Sequence, residues 1–151
     1  MKTVFISLII STLLVAACAE KAIESATDAK LSSLGAASLL GQWKFKGYTD
    51  GKTPAFDVTL EFKNEEGKNT LNGRSSVNFY FAEFETNEAT KIMKIGVLGS
   101  TKIAGTHEAN QFEMIYYERF RNIGRYEFKN NNLLLLHLVN PTNEIMYFER
   151  K

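Results

Sequence analysis

From Leu39 to the C-terminus the chain runs in short stretches dense in aromatic and branched residues, separated by Gly, Asn and Asp. Runs of this kind, bounded by turn residues, predict strands. They fall near Gln42 to Tyr48, Phe56 to Lys63, Asn69 to Gly73, Val77 to Glu85, Lys91 to Val97, Arg125 to Phe128, Leu133 to Val139 and Ile145 to Glu149. Turn chemistry separates several of them: Asp50-Gly51, Glu66-Gly67, Asn130-Asn131-Asn132 and Asn140-Pro141-Thr142-Asn143. One stretch breaks the period of two. In "THEANQFEMIYYERFRNIG", Phe112, Ile115, Tyr116 and Phe120 recur at helical spacing, with Thr106 or His107 placed to start a helix and Gly124 after it. The pattern predicts a mainly β (α+β) domain. It would be a single antiparallel sheet of about eight strands, curved or partly closed into a barrel, with one helix inserted before the last three strands.

The N-terminal pattern is different. Met1-Lys2 supplies a positive charge, Val4 to Val15 is apolar apart from Ser7, Ser11 and Thr12, and Ala16-Ala17 are small. These are the three regions of a secretory signal peptide, and the apolar part is shorter than the roughly 18 to 20 residues of a membrane-spanning helix. Cys18, the one cysteine of the chain, follows directly. Val15-Ala16-Ala17-Cys18 resembles the bacterial lipobox, which implies a lipid-modified Cys18 at the new N-terminus. Several acyl chains on one residue hold stably where one holds marginally, since each buried methylene adds about 0.8 kcal/mol. Ala19 rather than Asp follows the cysteine, which in a Gram-negative lipoprotein implies the outer membrane, facing the periplasm. Residues 19–38 are rich in Ala, Ser and charge and lack aromatics. They read as a tether of about 20 residues, with a root-mean-square span of roughly 25 Å if flexible; a short helix is the competing reading. The expected organisation is a leader over residues 1–17, a lipidated cysteine and tether over 18–38, and a folded domain over 39–151.

Charge narrows the partners. Loss of Lys2 with the leader leaves 17 basic and 17 acidic side chains. No Lys/Arg run exceeds two residues, so nucleic acid is not an expected partner.

Leu40-Gly41-Gln42-Trp43 opens the first strand much as a META domain does, the family of HslJ-like bacterial heat-shock proteins. "GRSSVNFYFAEF" is similar to that family's central strand: Gly73 begins it, and Asn78, Tyr80, Ala82 and Phe84 alternate on one face. "GSTKIAG" resembles the family's Ser-Thr-x-Met-Ala segment through Ser100 and Thr101, with Ile103 in place of Met. Glu113, "NNLLLLHL" and "IMYFER" complete the order. The resemblance covers about residues 39–151 and implies a domain linked to heat shock, envelope stress and tolerance of toxic compounds. Many members carry a cysteine before the central asparagine and another after the Met-Ala pair; Val77 and Gly105 stand there instead. Their joint absence is expected if those cysteines pair with each other.

The chemical alternatives are thin. His107 and His137 are the two histidines, and no Gly-x-Ser-x-Gly elbow accompanies either. His107 is expected to cap or flank the helix and His137 to sit on a strand face. Ser100 and Lys102 would be same-side neighbours on an extended segment. His107, Glu108 and Glu113 lack metal-ligand spacing. No catalytic residue, metal or cofactor is therefore expected. The apolar excess is more informative: beside the Asn78 face, Val77, Phe79 and Phe81 form a second apolar face before Glu83 and Glu85. Cover by the helix is the expected explanation, and a binding patch at Phe79 and Phe81 is the other. The function expected is a lipid-anchored, non-enzymatic interaction or stress-protective module of the cell envelope with an unknown envelope protein as partner. The alternative is a carrier or chaperone of a small apolar ligand, lipid or hydrophobic peptide, with a cavity lined by residues such as Tyr80, Phe84 and Leu136.

Overall fold

Nine strands and one helix follow the expected chain order in the computed structural model, which describes residues 39–151. The expected leader, Cys18 and the expected tether lie outside the described residues. The strands are β1 (Gly41–Tyr48), β2 (Thr59–Glu65), β3 (Lys68–Arg74), β4 (Phe79–Asn87), β5 (Ile92–Ile95), β6 (Gly99–Ser100), β7 (Ile123–Asn130), β8 (Leu133–Leu138) and β9 (Ile145–Arg150); the helix α1 spans His107–Arg121. Pairing runs β3-β2-β1-β9-β8-β7-β5-β4, and a further β3–β4 ladder joins the ends. The result is a closed eight-stranded antiparallel barrel, with the two-residue β6 beside β4 and the helix before the last three strands. Closure removes the exposed edges that an open sheet of this length would present.

Alternation decides which residues fill the barrel. Trp43 and Phe45 on β1, Leu60 and Phe62 on β2, Tyr80, Ala82 and Phe84 on β4, Leu134 and Leu136 on β8, and Met146 and Phe148 on β9 point inward and are buried. Gly73 has a steric reason: a Cβ there would stand 2.1 Å from the Thr59 carbonyl oxygen and 2.6 Å from the Tyr80 ring. Gly41 and Gly47 on β1 carry positive φ, the second beside a β1–β9 register shift.

Among the boundaries that differ from the sequence pattern, three have a local reason. Phe56 lies before β2 because its ring packs on Phe112 of the helix, centroids 5.0 Å apart. Val77 and Asn78 precede β4 because residues 75–78 form a tight turn, closed by the Ser75 N–H donating to the Asn78 carbonyl at 3.0 Å. The fifth run ends at Ile95 and resumes as β6, with the Gly96 N–H reaching the Glu83 carbonyl between them.

The Thr106 hydroxyl accepts from the Ala109 N–H and caps the helix, leaving His107 as its first residue; Asn122, not Gly124, forms the C-cap. Its buried stripe is Ala109, Glu113, Tyr116, Tyr117 and Phe120. Tyr116 packs on Tyr80 and Phe45, centroids 5.6 and 5.5 Å away. The helix therefore sits against the inward face of β4. It does not cover Phe79 and Phe81, contrary to the expectation from the apolar excess, because the barrel bore takes its aromatic stripe. The two-sided run on β8 has another cause: the outward Leu135 is shielded between its cross-strand neighbours Glu127 and Tyr147.

Candidate functional site

A buried carboxylate organises the polar groups at the junction of helix and barrel. Glu113 projects from α1 into the 75–78 turn. Its Oε2 accepts from the Ser75 hydroxyl and, at 3.1 Å, from the Asn78 backbone N–H, while Oε1 accepts from Asn78 Nδ2 at 2.7 Å. Asn78 Nδ2 also donates to the Ile103 carbonyl at 3.1 Å, and Asn78 Oδ1 accepts from the Thr101 hydroxyl and the Ile103 N–H, both at 2.7 Å. Every donor and lone pair of this carboxamide is thus engaged. Since Ser75 donates to Glu113, Tyr117 donates to Ser75 across 3.0 Å. Ser76 closes the set, donating to the Ala109 carbonyl at 2.9 Å. Burial alone would raise the Glu113 carboxyl, but the hydrogen bonds from Ser75 and Asn78 outweigh it and hold the group below the usual carboxylate range. The charge is balanced by neutral donors rather than a cation.

Chemically, this cluster is closed. Ser75 is fully buried and the Thr101 hydroxyl is committed to Asn78. His137 Nε2 lies 3.3 Å from Glu127 on a strand face. Among the described residues no group of three or more His, Cys, Asp or Glu side chains is arranged to hold a metal. The second tyrosine cluster is also structural: Tyr80 donates to the Thr59 carbonyl at 2.9 Å and so accepts from Tyr116 across 2.8 Å. Burial pushes both phenols up.

The open surface lies on the other side of β4. Phe79 and Phe81 are 57% and 58% exposed. Phe81 lies over Gly99 of β6, where a Cβ would stand 2.6 Å from its ring. Phe79 is the cross-strand neighbour of Arg74 and is flanked by the exposed Thr101–Lys102–Ile103 segment, its N–H donating to the Thr101 hydroxyl at 3.1 Å. Glu83 and Glu85 continue the same outward face.

Residues 37–151 match the family described as META domain. The chain belongs to the META domain family. Two solved structures share the fold of this META domain. An NMR structure of a protein from Burkholderia xenovorans is 22% identical, with a TM-score of 0.61 over 78% of this chain and 88% of that one. A crystal structure of a DUF4847 family protein from Bacteroides vulgatus is 14% identical, with a TM-score of 0.54 over 78% of this chain and 97% of that one. No curated protein shows significant similarity to the chain.

The META domain brings together residues that lie far apart in sequence. Asn78 and Thr101 meet in the Glu113 cluster, whereas Ser100 is exposed on β6 and Gly41, Trp43, Gly73, Tyr80, Ala82 and Phe84 belong to the barrel wall and core. Trp43 Nε1 donates to the Leu39 carbonyl at 2.9 Å, closing the start of the domain. Val77 and Gly105, the positions at which the resemblance implied cysteines, also meet: a Cβ on Gly105 would stand 2.6 Å from Val77 Cγ2. Sequence reasoning missed Ser75, Ser76 and Tyr117, and it passed over Glu113 as a helix carboxylate. The missed signal was spacing, since Glu113 is four residues from Ala109 and seven from Phe120, on the buried stripe.

Proposed function

We propose that this META domain protein is a lipid-anchored, non-enzymatic module of the bacterial envelope that acts by contact, in interaction or in protection against stress. The observation that carries the reading is the contrast on the two faces of β4. The polar groups of the inward side are buried and mutually satisfied, while Phe79 and Phe81 stand half exposed on the outward side. A monomeric surface has no folding use for two adjacent exposed rings. The lipobox-like Val15-Ala16-Ala17-Cys18 supports the anchor, and the family resemblance supports the link to heat shock and toxic compounds. The carrier alternative has no comparable support: Tyr80, Phe84 and Leu136, the residues expected to line its cavity, are packed in the core at 5% exposure or less.

Two variants test the reading. Phe79→Ser with Phe81→Ser should fold normally, costing about 1 kcal/mol or less per site as surface changes do, yet lose stress protection in cells. Unaltered survival would remove the patch from the function. Cys18→Ala should release the protein to the soluble fraction or stall the precursor; unchanged membrane extraction would refute lipidation.

A further inference from the structure

We propose that the Phe79/Phe81 face is the surface by which the domain lies on an anionic bilayer, the membrane to which Cys18 ties it; the inference rests on the lipid-anchor reading above. The barrel places the patch within reach. Across the ladders, Phe81 shares one row with Asn72, Glu61 and Gln42. Gln42 is close to the start of the domain, so the tether joins three strands from Phe81, about 14 Å along the sheet at the usual strand spacing. The reach expected of about 20 tether residues, roughly 25 Å, covers that distance.

Charge fits the same partner. Arg74 pairs with Phe79 across the ladder, and Gln42, Arg74, Phe79 and Lys151 line one depression. Lys102 follows on the exposed segment beside Phe79. Arg74, Lys102 and Lys151 are in no ion pair among the described residues. The acids of β4, Glu83 and Glu85, lie past Phe81, and Glu61, which lines the same depression, is paired with Lys63, so the surface beside β4 is cationic at the Phe79 end and acidic at the other. Rings flanked by cations suit the interface of an anionic leaflet.

Area separates a lipid from a protein partner. Two half-exposed Phe rings supply on the order of 200 Å², well short of the roughly 800 Å² that each partner buries in a stable protein interface. A tethered domain needs only a weak second contact, because the anchor already holds it at high local concentration.

The test uses the mature, acylated chain in vesicles of phosphatidylethanolamine, with or without phosphatidylglycerol, carrying bromine-labelled acyl chains. Phe81→Trp introduces a reporter indole, and the fully buried Trp43 gives a constant background. The expected result is a blue-shifted emission quenched by the brominated lipid when phosphatidylglycerol is present, with most of that quenching lost in Arg74→Gln combined with Lys102→Gln. Phe79→Trp repeats the measurement should the first variant disturb the contact with Gly99. Absence of quenching at both positions, or quenching that ignores phosphatidylglycerol, overturns the proposal. Protection from a water-soluble quencher seen only in whole envelopes also overturns it, in favour of a protein partner. Flotation distinguishes the two levels: a chain that floats with the vesicles but is not quenched loses the docking alone, whereas one that does not float loses the anchor and the docking together.

Discussion

At the residue scale, Glu113 is the side chain on which most depends. A carboxylate surrounded only by neutral donors is stable in that place while it remains an acceptor, and each donor it satisfies would otherwise be an unpaired buried group. Glu113→Gln turns part of the acceptor into a donor facing the Asn78 and Ser75 donors. We expect a loss of about 1 to 3 kcal/mol in urea unfolding at pH 7. The pH dependence has a definite sign. The folded carboxyl titrates below its ordinary value of 4.5, so its contribution is full above that value and fades as the pH falls through the folded pKa. The gap between wild type and Glu113→Gln should therefore narrow as the pH is lowered from neutral to well below 4.5; a gap that stays constant would show that the carboxylate charge is not what stabilises the turn. The buried tyrosines give an asymmetric pair. Tyr80→Phe leaves both the Thr59 carbonyl and the Tyr116 hydroxyl without a partner, whereas Tyr116→Phe removes one donor and leaves Tyr80 bonded to Thr59. Thermal melts should rank Tyr80→Phe as the more damaging, and equal losses would contradict the assigned donor directions.

At the scale of elements, β4 was legible as an alternating strand, and so was the membership of its two faces. Which face the helix would take was not. Phe112, Tyr116 and Phe120 announce a helix that needs an apolar surface, but both sides of β4 offered one. The turn at 75–78 was invisible for a related reason, since Ser75 and Ser76 look like ordinary polar loop residues until Glu113 arrives from 37 residues away or more. The same geometry brings together the two positions at which the family resemblance implied a pair of cysteines. Val77 and Gly105 are adjacent in space, and the valine methyl fills the volume that a second side chain would need. Val77→Cys with Gly105→Cys should form a disulfide in an oxidising compartment and raise stability by about 2 to 4 kcal/mol, measured by comparing oxidised and reduced melts. A pair that stays as free thiols under oxidant would mean that the two positions do not approach as the fold places them.

At the scale of the whole molecule, closure of the barrel is uneven. The β1–β9, β2–β3, β7–β8 and β8–β9 ladders are long, while β5 meets β7 in register only at Ile92–Arg125, with the Tyr126 N–H donating to the Lys91 carbonyl beside it. Side chains reinforce that seam: the Tyr126 hydroxyl donates to Glu88 at 2.7 Å, and Lys91 lies 3.3 Å from the same carboxylate. Regions with few paired backbone groups open first. Native-state hydrogen exchange should therefore release the Tyr126 amide before those of β2 and β9, and earlier still in Tyr126→Phe. Comparable protection around the whole barrel would mean that the seam is no weaker than the long ladders.

The sequence by itself determined the class of the domain, the order of its strands and helix, and the alternation that sets Asn78, Tyr80, Ala82 and Phe84 on one face of the central strand. Periodicity and turn residues are local properties, and each strand's pattern states them without reference to the others. It also carried the family motifs and the lipobox-like Val15-Ala16-Ala17-Cys18. The tertiary structure alone decided that the sheet closes between β3 and β4, that the helix occupies the inward side, and that Phe79 and Phe81 remain exposed. It alone gathered Ser75, Asn78, Thr101 and Glu113 into one satisfied cluster. These outcomes depend on which surfaces meet across long stretches of chain, and competition for buried surface and hydrogen-bond partners is settled only when all the elements are present together.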